Sequence, residues 1–299
     1  MEENAGKAVM PTARTESTVP FRRDDPLVRL FLAYANLLAH YHRHRVLHLE
    51  RLGSLLRKGR RVVLVGNHAL DVLDPLLFTA AVIDRYGRLP HFVGHENIIF
   101  RLPGLGELAR RYQMIPSRRR RETAAVLRRT GLLMLYPGSG SEAARRSYRD
   151  EPYRLKWEKR LGFLQLALRY DAEILFVAAV GIDEMYYQSS LRIPQRLLRW
   201  FSAERYEGSR MQFGVLGPHF VPTLLPFPVR ITHVVSKPLA LGDRATARRS
   251  RAALVRLHQR VVAQCQVLLD TAVAQREADA PLLDRVIRGG ERIAQRIGV

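Results

Sequence analysis

The chain has 299 residues, with 49 Lys+Arg against 28 Asp+Glu, a single cysteine and a hydrophobic fraction of 47%, so its formal net charge is +21. The ordinary hydrophobic fraction excludes a wholly disordered or low-complexity protein. The single thiol, Cys265, excludes a disulfide framework within the chain and any zinc site built on cysteines. The positive charge predicts a polyanionic partner, either an anionic membrane surface or nucleic acid, unless the arginines are only a solvated coat.

The distribution of apolar and polar residues divides the chain into four predicted segments. They are a disordered tail at 1–25, an N-terminal amphipathic helical segment at 26–60, a main domain at 61–244 and C-terminal helices at 245–299. The best apolar run, Leu27–Tyr41, has 15 residues, which is too short to span a bilayer. Such a helix either lies in the plane of the lipid headgroups or packs on the main domain as an ordinary amphipathic helix.

Short apolar runs alternate with helical patterns through the main domain. The predicted strands are Arg61–Val65, His91–Gly94, Leu132–Tyr136, Ile174–Val180 and Ile231–Val235. The predicted helices run from Asp74 to Gly87, Gly106 to Tyr112, Glu122 to Arg129 and Tyr153 to Tyr170. This alternation predicts an α/β fold with a mixed, largely parallel sheet flanked by helices, and with N-terminal and C-terminal helical segments.

The sharpest local motif is Gly66-Asn67-His68-Ala69-Leu70-Asp71-Val72-Leu73-Asp74-Pro75, which follows a predicted buried strand. His68 then lies at the carboxyl edge of the sheet, where α/β proteins bind ligands. Asp74 begins the next helix and can turn back to hydrogen-bond the imidazole, which would make His68 a general base. The alternative is a histidine and an aspartate that only cap the loop and the helix.

Two weaker motifs also lie near ends of predicted strands. The first, Tyr136-Pro137-Gly138-Ser139-Gly140-Ser141-Glu142, has small residues whose backbone N–H groups can approach an anion, although a plain glycine-rich turn is the simpler interpretation. It has neither the register of a P-loop nor that of a nucleophile elbow. The second is the run Arg118–Arg121 after Ile115-Pro116, which either binds a substrate phosphate or is a solvated helix start.

Taken together and in this order, these motifs resemble the lysophospholipid/glycerolipid acyltransferase superfamily over roughly residues 45–240. The resemblance is strengthened by the segment LKWEKRLGFLQLALRY followed by ILFVAAVG, and the most similar branch contains the monoacylglycerol and diacylglycerol acyltransferases. It implies that residues 61–244 are an acyltransferase domain in which His68 and Asp74 form the catalytic dyad. The substrate-binding residues that follow from it are Asn67, Arg118, Gly138, Ser139, Gly140 and Glu142.

The sequence departs from the pattern of the superfamily at three points. Five residues separate His68 from Asp74, where four are commoner, so Asp71 is an alternative partner for the histidine. Ser139 and Ser141 replace a glycine and an arginine that are usual in the third motif of that branch, and Phe176 replaces a usual proline. These departures affect the identity of the acceptor more than the fold.

The resemblance implies O-acyl transfer from acyl-CoA to the hydroxyl of a mono- or diacylglycerol or a lysophospholipid. We expect no metal and no cofactor besides the co-substrate acyl-CoA, and the expected partners are an anionic membrane surface and a glycerolipid acceptor, not nucleic acid. The enzyme is expected to be peripheral or monotopic on the cytoplasmic face. The alternatives are an acyl-thioester hydrolase with the same dyad and a basic nucleic-acid-binding protein, for which no groove-reading or base-stacking module is recognisable.

Overall fold

The computed structural model describes residues 22–68, 73–94, 114–138, 142, 152–158, 160–192, 210–219 and 226–278. The α-helices in these ranges are α1 (Pro26–Tyr41), α2 (Glu50–Arg57), α3 (Leu73–Tyr86), α4 (Arg120–Thr130), α5 (Gly162–Arg169), α6 (Arg244–Arg249) and α7 (Arg251–Ala278). The strands are β1 (Arg45–Leu47), β2 (Val62–Gly66), β3 (His91–Gly94), β4 (Ile115–Pro116), β5 (Leu132–Leu135), β6 (Glu173–Val180), β7 (Tyr187–Arg192), β8 (Arg210–Gly214), β9 (Gly217–His219) and β10 (Thr232–Val235).

Seven strands form one sheet in the order β1-β10-β6-β2-β5-β3-β4. Every neighbouring pair is parallel except β10 and β6, which are antiparallel. The remaining strands form a small antiparallel sheet in the order β7-β8-β9. The predicted fold class, a mixed and largely parallel α/β sheet flanked by helices, is therefore confirmed.

Helices cover both faces of the large sheet, which explains why its central strands are apolar throughout. All five residues of β2 are buried, as are seven of the eight residues of β6. On one face, α3 contributes Phe78 to a cluster with Leu64 of β2. On the other face, α5 and α7 contribute Leu164 and Leu257 to a larger cluster with Val63. Because parallel strands end at the same edge, the loops after β2, β5 and β6 converge there.

The predicted helix Tyr153–Tyr170 is wrong in its first half, since among the residues of that range that the structure describes only Gly162–Arg169 is helical. The backbone N–H groups of the preceding segment donate to side chains instead of to a helical ladder: Tyr153 to Asp183, Leu155 to Gln266 and Lys156 to Glu142. Tyr153 and Glu158 also have positive φ angles of 61° and 43°, which a right-handed helix does not allow. Hydrogen bonds to side chains that are distant in sequence thus prevent the helix that the local pattern predicts.

Strand β1 and the small sheet β7–β9 are absent from our sequence-based prediction. β1 lies inside the segment predicted as helical and pairs with β10 through three residues only, which is too short a run to show a strand period. The predicted helix Gly106–Tyr112, the tail at 1–21 and the residues after 278 lie outside the described ranges. The proposed segment boundaries at 61 and 244 stay predictions.

Helix α1 packs on the domain through one face and exposes a second apolar face. Its buried residues, Val28, Leu32, Ala35 and Leu38, face α3 and the β10 end of the sheet. Asp25 caps the helix by accepting from the N–H of Leu27 at 2.9 Å. Leu30, Tyr34 and Leu37 lie on the outer face and are 66%, 48% and 67% exposed. In the described part of the chain, no helix is long and apolar enough to cross a bilayer.

Two histidines meet between α1 and β10. The Nε2 atom of His44 lies 2.7 Å from Nδ1 of His233, so one ring donates a hydrogen bond to the other. Burial lowers the pKa of His44 to about 4, with a smaller contribution from the nearby His42. Burial and the neighbouring His44 hold the pKa of His233 well below its usual value. Both rings are therefore neutral at pH 7.

We predict that this pair makes the fold sensitive to acid. Below about pH 6.5 the two histidines bind more protons in the unfolded chain than in the folded chain. The free energy of unfolding is therefore highest above that pH and decreases as the pH falls towards 4. Each of the two histidines lowers the free energy of unfolding by up to about 1.4 kcal/mol per pH unit over this interval. Urea unfolding between about pH 7 and pH 5 measures the slope.

The variant His44→Gln keeps a donor for His233 and removes one titrating ring, so its stability should depend less on pH than that of the wild type. His40→Gln, at an exposed position of α1, is the control and should keep the wild-type slope. Equal slopes for all three proteins would show that the pair does not govern the acid response.

Candidate active site

Three of the predicted site residues, Asn67, His68 and Gly138, lie where β2 and β5 end side by side. Asn67 and His68 follow β2 directly, and Tyr136, Pro137 and Gly138 follow β5, which pairs with β2 in parallel register. His68 is partly exposed, whereas Asn67 is fully buried. The sequence-based prediction that both loops lie at the carboxyl edge of the sheet is therefore confirmed.

Asn67 fastens the end of β2 to β6 at the point where the chain leaves the sheet. Its Nδ2 donates to the carbonyl of Ala179 at 2.8 Å, and its Oδ1 accepts from the N–H of Ala179 at 2.7 Å. The side-chain amide thus continues the β ladder by one further pair of bonds. This arrangement fixes the backbone immediately before His68, while the role of Asn67 in substrate binding stays a prediction.

Glu142 holds the backbone of His68 from the other side. Its Oε1 accepts from the N–H of His68 at 2.9 Å, and its Oε2 accepts from the N–H of Lys156 at 3.0 Å. The residue is fully buried, and a Cβ atom at Gly138 would collide with its carboxylate. Gly138 therefore has to be a glycine for the Glu142 side chain to pack against it. Glu142 positions the backbone of His68, while its role in substrate binding stays a prediction.

Tyr136 contacts both members of the predicted dyad, a role that our sequence-based prediction did not assign to it. Its hydroxyl donates to Oδ2 of Asp74 at 3.1 Å, and its ring lies 5.0 Å from the imidazole of His68, centroid to centroid. Asp74 is fully buried inside the first turn of α3, which begins at Leu73. Burial, with the charge of Asp74, holds the pKa of Tyr136 well above its usual range, so the phenol remains a donor.

Arg118, the one remaining predicted residue that the structure describes, does not lie beside His68. Arg118 follows β4 at the same sheet edge, but β4 is three strands from β2, a lateral separation of about 14 Å. Its side chain is exposed. Asp71, Ser139 and Gly140 lie outside the described residues, so their roles stay predictions. Among the residues that the structure describes, no three His, Cys, Asp or Glu side chains are grouped to hold a metal ion.

We predict that Glu142→Gln destabilises the fold and leaves the overall shape of the side chain unchanged. A glutamine can accept from only one of the two amides, and its NH₂ group then faces the other donor. The loss of a buried bond to a charged group should lower the free energy of unfolding by about 1.5–3 kcal/mol, measured by urea unfolding. Glu122→Gln, which is exposed on α4, is the control and should change it by less than about 0.5 kcal/mol.

Comparison with known proteins finds a family model that matches the part of the chain carrying this site. The family model described as Acyltransferase matches residues 48–180. The chain is 27% identical over 206 residues to a "DGAT1/2-independent enzyme synthesizing storage lipids" of Gallus gallus, an alignment that covers 67% of this chain and 56% of the relative. The relative of the same name in Homo sapiens is 26% identical over 201 residues, which are 65% of this chain and 56% of that protein.

A plant protein is similar over a shorter region. "Phytyl ester synthase 2, chloroplastic" of Arabidopsis thaliana is 25% identical over 165 residues, which are 52% of this chain and 23% of that protein. The chain thus spans only about half the length of the animal relatives and a quarter of the plant one. Residues 48–180, which the family model matches, contain β2, β5 and β6 together with Tyr136 and Glu142, which contact His68. Residues 48–180 thus match the acyltransferase family model, as the resemblance of the motifs predicts.

Proposed function

We propose that the protein transfers a fatty acyl group from acyl-CoA to the hydroxyl of a glycerolipid, with His68 as general base and Asp74 as the group that orients it. The observation that carries this proposal is that Tyr136 contacts both side chains at the carboxyl edge of the sheet. A general base becomes positively charged when it takes a proton. A buried carboxylate beside the imidazole stabilises the imidazolium that forms and so makes the histidine a stronger base.

The proton transfers of the reaction involve these two groups and the two substrates. His68 removes the proton of the acceptor hydroxyl as its oxygen attacks the thioester carbonyl carbon. The C–S bond then breaks, and the imidazolium returns the proton to the leaving sulfur. The free thiol of CoA and the new ester are the products, and Asp74 stabilises the charge that His68 carries in between.

The names of the relatives support an ester-forming reaction on a lipid. Those relatives are described as synthesizing storage lipids and as a phytyl ester synthase, which fits transfer onto a hydroxyl better than release of a free acid. Under this proposal, the loop after Gly138 holds a phosphate or the oxyanion, and Arg118 is the residue that would favour a phosphorylated acceptor.

We predict that His68→Ala abolishes acyl transfer from labelled acyl-CoA and leaves the protein folded, because His68 is partly exposed and fills little of the core. Loss of a general base lowers the rate about 10²–10⁴-fold. Asp74→Asn should be nearly as inactive, since an amide does not stabilise an imidazolium. Asp71→Asn is the matched control and should remain active.

The assay is run with and without glycerolipid acceptors, and both the ester and the free fatty acid are measured. Product that depends on the acceptor supports the transferase. Equal release of fatty acid without an acceptor would identify a thioester hydrolase. Activity in both Asp74→Asn and His68→Ala would refute the dyad, and an inactive Asp71→Asn beside an active Asp74→Asn would assign Asp71 as the partner.

We further propose that the protein binds the cytoplasmic surface of a membrane through the outer face of α1. Leu30, Tyr34 and Leu37 recur at helical spacing on that face, and the exposed Arg29 and Arg43 lie on the same helix or directly after it. An apolar stripe flanked by arginines is typical of a helix that lies in the headgroup region of anionic lipid. Val215 and Leu216, at the turn between β8 and β9, are a second exposed apolar pair.

We predict that the protein floats with anionic vesicles and that recovery decreases in high salt, because salt screens the arginines. The double variant with Leu30→Ser and Leu37→Ser should bind vesicles at least about tenfold more weakly, since two leucines lose their apolar contact with lipid. Val267→Ser on α7, whose side chain is equally exposed at 64%, is the control and should bind normally. Equal binding to neutral and anionic vesicles at every salt concentration would contradict the electrostatic part.

A further inference from the structure

We infer that Tyr136 is a positioning residue for the His68–Asp74 pair, because its hydroxyl fixes the carboxylate and its ring supports the imidazole. This inference rests on the proposed function, since it gives Tyr136 a part in the same proton transfer. Tyr136 does not itself exchange a proton with the substrate in this account.

The position of Tyr136 is fixed by the fold on several sides. It follows the last residue of β5 directly, and its side chain is 8% exposed. The ring crosses Gly66 so closely that a Cβ atom there would lie 2.8 Å from Cε1 of the tyrosine. Phe92 of β3 lies 5.6 Å away, centroid to centroid. The ring therefore has little room to move, and its contacts with the dyad are set by the sheet.

The hydroxyl bond has a chemical consequence for Asp74. A donor on Oδ2 fixes the rotation of the carboxylate and takes up part of its negative charge. The high pKa of the phenol means that this donor persists over the whole working pH range. The bond therefore orients Asp74 and moderates the field that it exerts on His68, which sets the pH at which the pair becomes active.

The test is Tyr136→Phe, which keeps the ring and removes the hydroxyl bond. We expect kcat for acyl transfer to fall about 10–100-fold, as for the loss of a hydrogen bond to a charged group, with KM for acyl-CoA within about twofold. We also expect the acid limb of the pH profile of kcat/KM to move up by about one pH unit, because the carboxylate then stabilises the imidazolium more strongly. A residue that only packs would shift neither quantity.

The chain offers a matched control. Tyr86→Phe removes a similar hydroxyl bond, which Tyr86 donates to the carbonyl of Leu49 at 2.9 Å, on α3 away from His68. Its kcat and acid limb should equal those of the wild type. Replacement of Tyr136 by p-aminophenylalanine restores a donor on the same ring and should restore most of the rate and the acid limb. If that protein behaves like Tyr136→Phe, the hydroxyl bond is not the cause and the inference fails.

A measurement that does not depend on activity completes the test. Titration of the His68 ring by NMR, assigned with His68→Ala, should give a higher pKa in Tyr136→Phe than in the wild type. An unchanged ring titration and an unchanged rate would overturn the inference and leave the proposed dyad intact. Full activity of His68→Ala would instead refute the proposed function, whatever Tyr136→Phe does.

Discussion

A carboxylate that is removed from water must be satisfied by donors, and Glu142 meets this need with the backbone amides of His68 and Lys156. This buried carboxylate thereby joins three parts of the chain: the residues directly after β2, Glu142 itself, which follows β5, and the segment before α5. The direction of the His68 backbone depends on this bond. The non-helical course of residues 152–158 depends on it too, because the N–H of Lys156 is committed to the carboxylate.

The glycines of the two loops are explained by the same crowding. Gly138 leaves space for the carboxylate of Glu142, and Gly66 leaves space for the ring of Tyr136. Neither of the two has a positive φ angle. Glycine is therefore needed at these two positions because it has no side chain, and not because of its backbone freedom. The edge of the sheet can bring His68, Tyr136 and Glu142 within contact distance only because these two positions carry no Cβ atom.

The opposite end of the sheet connects this site to the surface that we propose for lipid binding. The hydroxyl of Tyr41, at the end of α1, donates to the carbonyl of Pro226, and Nδ1 of His42 lies 3.0 Å from the carbonyl of Val229. The segment that follows enters β10, which pairs with β6. Helix α1 is thus attached to the same sheet whose carboxyl edge carries His68.

The sequence by itself determined the fold class, the central strands and the gathering of His68 with the Pro137-Gly138 loop, because buried parallel strands leave long apolar runs and end in short polar loops. It did not determine that residues 153–158 are non-helical, that β1 joins the sheet, or that Tyr136 and Glu142 contact His68. Each of these depends on a partner distant in the chain: Asp183 and Gln266 for the segment before α5, β10 for β1, and Asp74 for Tyr136. The local sequence pattern does not reveal partners that are distant in the chain, so only the tertiary structure decides these three features.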